Sequence, residues 1–202
     1  MSKLVEGGDA SAWQTYERLL ANLKTEGYLD ANVFRPLWTA RSDPRASDVA
    51  RRILLTDDSR FIEQCRAKGE IGQPILGNIV SPWLKIPAFR ELLVRLLSDK
   101  TVIGIVLQEE IGVRYRTDQG ASGLVGLKLN KDSKVLDEAT FRVCDQIAIH
   151  LFRLKGCPGY NPVWKDEKRN AALKKLQGYI ASIGDRIDQV LPAHELDRYE
   201  RY

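Results

Sequence analysis

One stretch, Thr101 to Leu129, restricts the fold more than any other. "TVIGIVL" is short and β-branched, with Gly104 inside it, and reads as a strand. In "GVRYR", Val113 and Tyr115 alternate with Arg114 and Arg116; in "LVGLKL", Val125, Leu127 and Leu129 share one face and Lys128 takes the other. A period of two places alternate side chains on opposite faces of a strand and has no helical counterpart. The polar gap Thr117–Gly123 between the two runs makes them a hairpin. Two strands and a third are about the smallest sheet that is stable in water.

The remainder has helical spacing. Ser11 and Gln14 stand at capping-box distance, Trp13, Tyr16, Leu20 and Leu23 repeat at helical intervals, and Gly27 is a stop. Pro36 allows only a short helical turn. Asp43 followed by Pro44 opens a second helix, with Val49, Ile53 and Leu54 on its apolar side. A third is expected from Thr56 or Asp57 to Gly69. "GEIGQPILGNIVSPWLKIP" has the prolines and glycines of a loop, yet it is apolar enough to be packed. Phe89, Leu92, Leu93, Leu96 and Leu97 then mark a clear amphipathic helix. "DEATFRVCDQIAIHLFRLKG" is apolar almost all round and reads as a central helix over 137–155. After the turn "CPGYNP", Asn161–Pro162 is expected to cap a last helix. Its seam Leu173, Leu176, Ile180, Ile183, Ile187 and Val190 should be covered by helix 137–155.

The fold expected is therefore α+β: predominantly helical, with a two- to three-stranded antiparallel sheet in the middle of the chain. Residues 1–80 form an N-terminal helical segment, and 81–202 hold a helix, the hairpin and two C-terminal helices. The two parts can equally be one continuous domain over 1–202.

Charge narrows the function. The 202 residues carry a net charge of +4, with no lysine run or basic tail, which excludes a polybasic protein. The excess gathers around the hairpin, where Arg114, Arg116, Lys128, Lys131 and Lys134 face only Asp118 and Asp132. No apolar run is long enough to span a bilayer, and Met1–Leu20 does not have the form of a secretory signal. Three scattered cysteines, Cys65, Cys144 and Cys157, imply no disulfide framework and a reducing, cytoplasmic setting.

No catalytic set converges. His150 lies on the most apolar helix, where the plain reading is a core-edge histidine; His194 follows Pro192. Cys144 and His150 are six residues apart and point to different sides of a helix, whereas Cys157, between Gly156 and Pro158, can fold back toward His150. No zinc-ligand spacing, phosphate-binding glycine loop or nucleophile elbow occurs, so neither cofactor nor metal is expected. "GEIG" copies the outline of the phosphate-clamping loop of KH domains, but Glu70 would repel phosphate. The acid pairs Asp57–Asp58 and Glu109–Glu110 suit a helix start and a solvated turn.

"GVRYRTDQGASGLVGLKL", followed by a helix containing "DQIAIH" and then Pro158, resembles the hairpin-plus-helix core of elongation factor Ts. The resemblance covers residues 112–158, lacks that family's N-terminal helices and motif, and implies a helix-and-sheet face that docks a protein. On the residues themselves, Arg114, Arg116 and Lys128 share the hairpin's non-core face, with Lys131 and Lys134 just beyond. That face is either the solvated side of a half-buried sheet or a surface for phosphates. It lacks an aromatic for base stacking, because Tyr115 points inward. The expectation is a non-enzymatic binding or assembly module with a protein partner, its oligomeric state open. The alternatives are a nucleic-acid-associated subunit using the hairpin and a small Cys/His enzyme.

Overall fold

The alternating stretch does form a sheet in the computed structural model, which describes residues 9–22, 35–55, 62, 66, 82–109, 112–118, 120, 122–125, 136–151 and 154–191. The chain is a helix-dominated α+β protein. Helices α1 (Ala10–Asn22), α2 (Arg35–Thr39), α3 (Pro44–Leu54) and α4 (Pro87–Leu96) come first, with a 3₁₀ turn at Pro82–Lys85. Strands β1 (Val102–Glu109), β2 (Gly112–Thr117), β3 (Ser122–Val125) and β4 (Glu138–Arg142) follow, then α5 (Val143–Leu151), α6 (Asp166–Ile183), a 3₁₀ turn at Gly184–Arg186 and α7 (Ile187–Val190).

Among the described residues the sheet is antiparallel and has four strands in the order β3-β2-β1-β4, rather than two or three. The fourth comes from the segment read as the first part of a helix over 137–155. Within it Glu138 and Thr140 are exposed while Ala139 and Phe141 are buried, a period of two hidden inside an apolar run. Only from Val143 does the chain turn helical, and there the all-round apolar reading is right: every residue from Val143 to Ile149 is buried. The segment between α4 and β1 fixes that helix start. The Val143 and Cys144 amides donate to the carbonyls of Thr101 and Asp99 (3.0 and 2.9 Å), which satisfies donors that a helix N-terminus leaves open.

Gly104 lets the sheet close over its core. A β-bulge lies between Val102 and Gly104, and a Cβ at Gly104, where φ is +156°, would run into the Arg116 carbonyl. The absence of a side chain opens room beside it, and Tyr115 and Phe141, from the strands flanking β1, stack with ring centroids 5.1 Å apart. Gly123 plays a similar part opposite Tyr115, whose ring would clash with any Cβ there.

The helices differ from expectation at their ends. Asp9, not Ser11, starts α1, accepting from the Ser11 amide (2.8 Å). Asp43 caps α3 as read, taking the Arg45 amide at 2.9 Å. Asn161 accepts from the Val163 amide (3.0 Å) within a turn, and α6 begins only at Asp166. Gly184, with φ +45°, ends α6, yet the seam survives the break: Leu173, Leu176, Ile180, Ile183 and Ile187 are buried and Val190 is half-buried. The principal cover of α6 is α4, with α5 second, which corrects the expected pairing with helix 137–155. One cluster of buried apolar residues takes in positions from Ala12 to Leu191. Leu23, Gly27, the helix expected over 56–69, the loop over 69–81 and His194 lie outside the described residues or are touched by them only at Ile62 and Arg66.

Ile180, wholly enclosed, tests this packing. Ile180→Ala should lower the unfolding free energy by about 2–5 kcal/mol, read from the urea midpoint at unchanged slope.

Candidate binding face

The register places every described side chain of the sheet on one of two faces. Val106, Val113, Tyr115, Ala139 and Phe141 point to the core. The other face presents two complete rows: Leu124–Arg114–Leu107–Glu138 and, beside it, Ser122–Arg116–Ile105–Thr140. Beyond the bulge, Val102 pairs with Arg142, whose side chain is buried. Arg114 and Arg116 are thus where the alternation puts them. Lys128, Lys131 and Lys134, the other residues of the expected basic face, lie outside the described residues.

The two arginines are not equivalent. Arg114 forks onto Glu109, its Nε and Nη2 donating to the two carboxylate oxygens at 2.5 and 3.2 Å. The same contact holds the Glu109 carboxyl below its ordinary range. Arg116 is exposed. The face is also more apolar than the alternation in β2 implies. Val102 is 52% and Leu124 41% exposed, two of the most open large apolar side chains among the described residues. Ile105 and Leu107 between them are half-buried. Val102, Ile105 and Leu107 belong to "VIGIVL", which is apolar at both parities, so the sequence alone does not say which of them face out.

Behind one end of the sheet lies a polar network that the sequence did not signal. Asp145, wholly enclosed, receives the Arg142 amide (2.9 Å), Arg142 Nε (3.0 Å) and Nη2 (2.8 Å), Arg169 Nη1 (3.2 Å) and the Tyr160 hydroxyl. Arg169 also donates to the carbonyls of Thr140 (2.8 Å) and Pro162 (3.0 Å), and its Nη2 to Asp166. Burial acts to lower the Arg142 pKa, but the hydrogen bonds and charge of Asp145 outweigh it and hold the guanidinium above its ordinary value. Burial, followed by the Asp145 charge, pushes the Tyr160 hydroxyl well up. Each donor in this cluster is already spent on a protein acceptor, which makes it a fastening between β4, α5 and α6. The link is long range, Thr140 and Arg169 standing 29 residues apart, so no local motif announces it.

Neither described cysteine directs its thiol at His150. Cys144 Sγ is directed to Asp145 Oδ1 (3.9 Å) and Cys157 Sγ to the Pro158 carbonyl (3.7 Å), while His150 is half-buried on α5. Burial pushes each thiol up to about 12, so both are protonated near neutrality. Cys65 lies outside the described residues. Among the described residues no group of three or more His, Cys, Asp and Glu side chains can hold a metal ion. A cleft of about 210 Å³ between α1 and α3 is lined by Trp13, Glu17, Arg45, Asp48 and Arg52. Its charges are matched nearby, Arg45 with Asp43 and Arg52 with Glu17. No described helix is long and apolar enough to cross a membrane.

No family model, curated protein or solved structure matches this chain.

Two measurements check these assignments. Cys144 and Cys157 should be alkylated by iodoacetamide at pH 8 at least about a hundredfold more slowly in the native protein than in urea, as read by peptide mapping. Asp145→Ala leaves two buried guanidinium groups facing each other, and should cost about 3–5 kcal/mol in denaturant unfolding.

Proposed function

We propose that the chain is a non-enzymatic binding module that docks a protein partner on the outer face of its sheet, in a reducing cytoplasm. The observation that carries this reading is the composition of that face: the open apolar side chains of Val102 and Leu124, with Ile105 and Leu107 between them, are interleaved with the guanidinium groups of Arg114 and Arg116. Apolar anchors beside arginine are what protein interfaces favour, since the first gain from leaving water and the second adds directional hydrogen bonds. A purely phosphate-binding ribbon would leave its cations unpaired, whereas Arg114 is engaged by Glu109. The protonated thiols and the closed Asp145 cluster give no support to a hydrolytic or transfer chemistry.

The test is capture by the tagged full-length chain against an Arg116→Glu/Leu124→Glu variant. Both side chains are exposed, so the melting temperature should stay within about 3 °C of the parent. The expected result is loss of the captured protein from the variant. Equal recovery by both chains would overturn the reading, and loss of a captured oligonucleotide instead of a protein would replace it.

A further inference from the structure

The register allows the partner to be named. We propose that the outer face of the sheet pairs with a second copy of this chain, about a two-fold axis running along β1; the inference rests on the binding face proposed above. β1 has β2 on one side and β4 on the other, each about 4.8 Å away. A half-turn about an axis parallel to β1, between two facing sheets, lays β2 of each copy over β4 of the other. The residues of β1 then meet their own counterparts: Leu107 on Leu107 and Ile105 on Ile105.

The flanking positions decide the matter. In the Leu107 row the β2 residue is Arg114 and the β4 residue is Glu138, so the half-turn brings Arg114 of each copy over Glu138 of the other, twice. In the Ile105 row Arg116 comes over Thr140, whose hydroxyl already accepts from Arg169 Nη2 (3.4 Å), so this row adds no charge pair. The face is thus self-complementary in charge about the line of Val102, Ile105 and Leu107 on β1, the pattern an isologous contact requires, while Leu124 on β3 falls outside the overlap. An acidic partner would satisfy Arg114 and Arg116 but would set its charge against the exposed Glu138. Glu109 alone falls on the axis with its own kind. Its charge is matched by Arg114 of the same chain, and sheets that cross at about 30° carry the two copies apart there.

Docking at the β4 edge is less available than docking on the face. The outward carbonyl of Thr140 on edge strand β4 is already taken by Arg169, and the Leu136 amide just before that strand donates to the Val163 carbonyl (2.8 Å). The face sets the strength of association. The three strands that overlap, about 4.8 Å apart and roughly 20 Å long, offer on the order of 300 Å², well under half of what each partner gives in a standard interface. The dimer is accordingly concentration-dependent.

The experiment is sedimentation velocity on the full chain between about 1 µM and about 1 mM. The parent should pass from monomer to dimer within that range. Arg114→Glu sets glutamate against Glu138, and Glu138→Arg sets arginine against Arg114, so each variant alone should dimerise at least tenfold more weakly. An equimolar mixture of the two variants makes both crossed contacts attractive again and should restore a one-to-one dimer. Leu107→Lys places like charges on the axis, leaves every ion pair intact, and should weaken the dimer by a similar factor. A parent chain that stays monomeric throughout overturns the proposal, as does a mixture no stronger than its components, or variants that dimerise as the parent does. None of those results touches the broader reading, which falls only if Arg116→Glu/Leu124→Glu still captures the same protein partner.

Discussion

The carboxylate of Asp145 holds the two halves of the C-terminal region in one arrangement. It sits at the first turn of α5, accepts from the last residue of β4 and from α6, and takes the hydroxyl of Tyr160. One buried charge therefore fixes where the sheet ends, how the central helix leaves it and where the last long helix begins. Such a cluster is a poor source of net stability, because three ionised groups must be taken out of water to build it. What it contributes is specificity: any other docking of α6 leaves at least one guanidinium or the carboxylate enclosed without a partner.

The helical seam supplies the stability that this cluster does not. Leu173, Leu176, Ile180 and Ile183 close against α4 and α5, and each such side chain contributes about 1.5–3 kcal/mol on leaving water. The division of labour is physical. Apolar packing is strong but tolerant of rotation, whereas a fork of hydrogen bonds to one carboxylate is weak in sum and intolerant of any shift. Together they make the sheet a rigid plate with its inner side glued to helices and its outer side left to solvent or to another surface.

Patterns that repeat within a single element were readable from the sequence. The α4 stripe, the alternation in β2, the Asp43–Pro44 start and the terminal seam all express one period over neighbouring residues, and each occurs where expected. The strand inside 137–155 was hidden because Phe141, Val143 and Cys144 merge two periods into one apolar run, and five residues are too few for alternation to stand out. The change of cover for α6 was hidden for a different reason: a seam states that it must be buried but not by what. At the binding face, the arginines were legible from alternation and the apolar partners were not. Ile105 and Leu107 look like core when β1 is read alone, and only the order β3-β2-β1-β4 shows which of its sides faces out. Asp145 gave no signal, since its value depends on Arg169, distant in sequence.

The strand order has a consequence for the nascent chain. β1 is central yet is made first, and β2 and β3 can fold onto one side of it at once. Its other side waits for β4, and the edge of β4 in turn waits for Arg169, 29 residues after Thr140. At a synthesis rate of about 5–20 residues per second that interval is roughly one to six seconds. Throughout it, a half-built sheet shows the ribosome's surroundings an unguarded row of amides and carbonyls. The guanidinium that stitches two elements together in the finished protein is thus also the latch that ends its period of greatest exposure to misassembly.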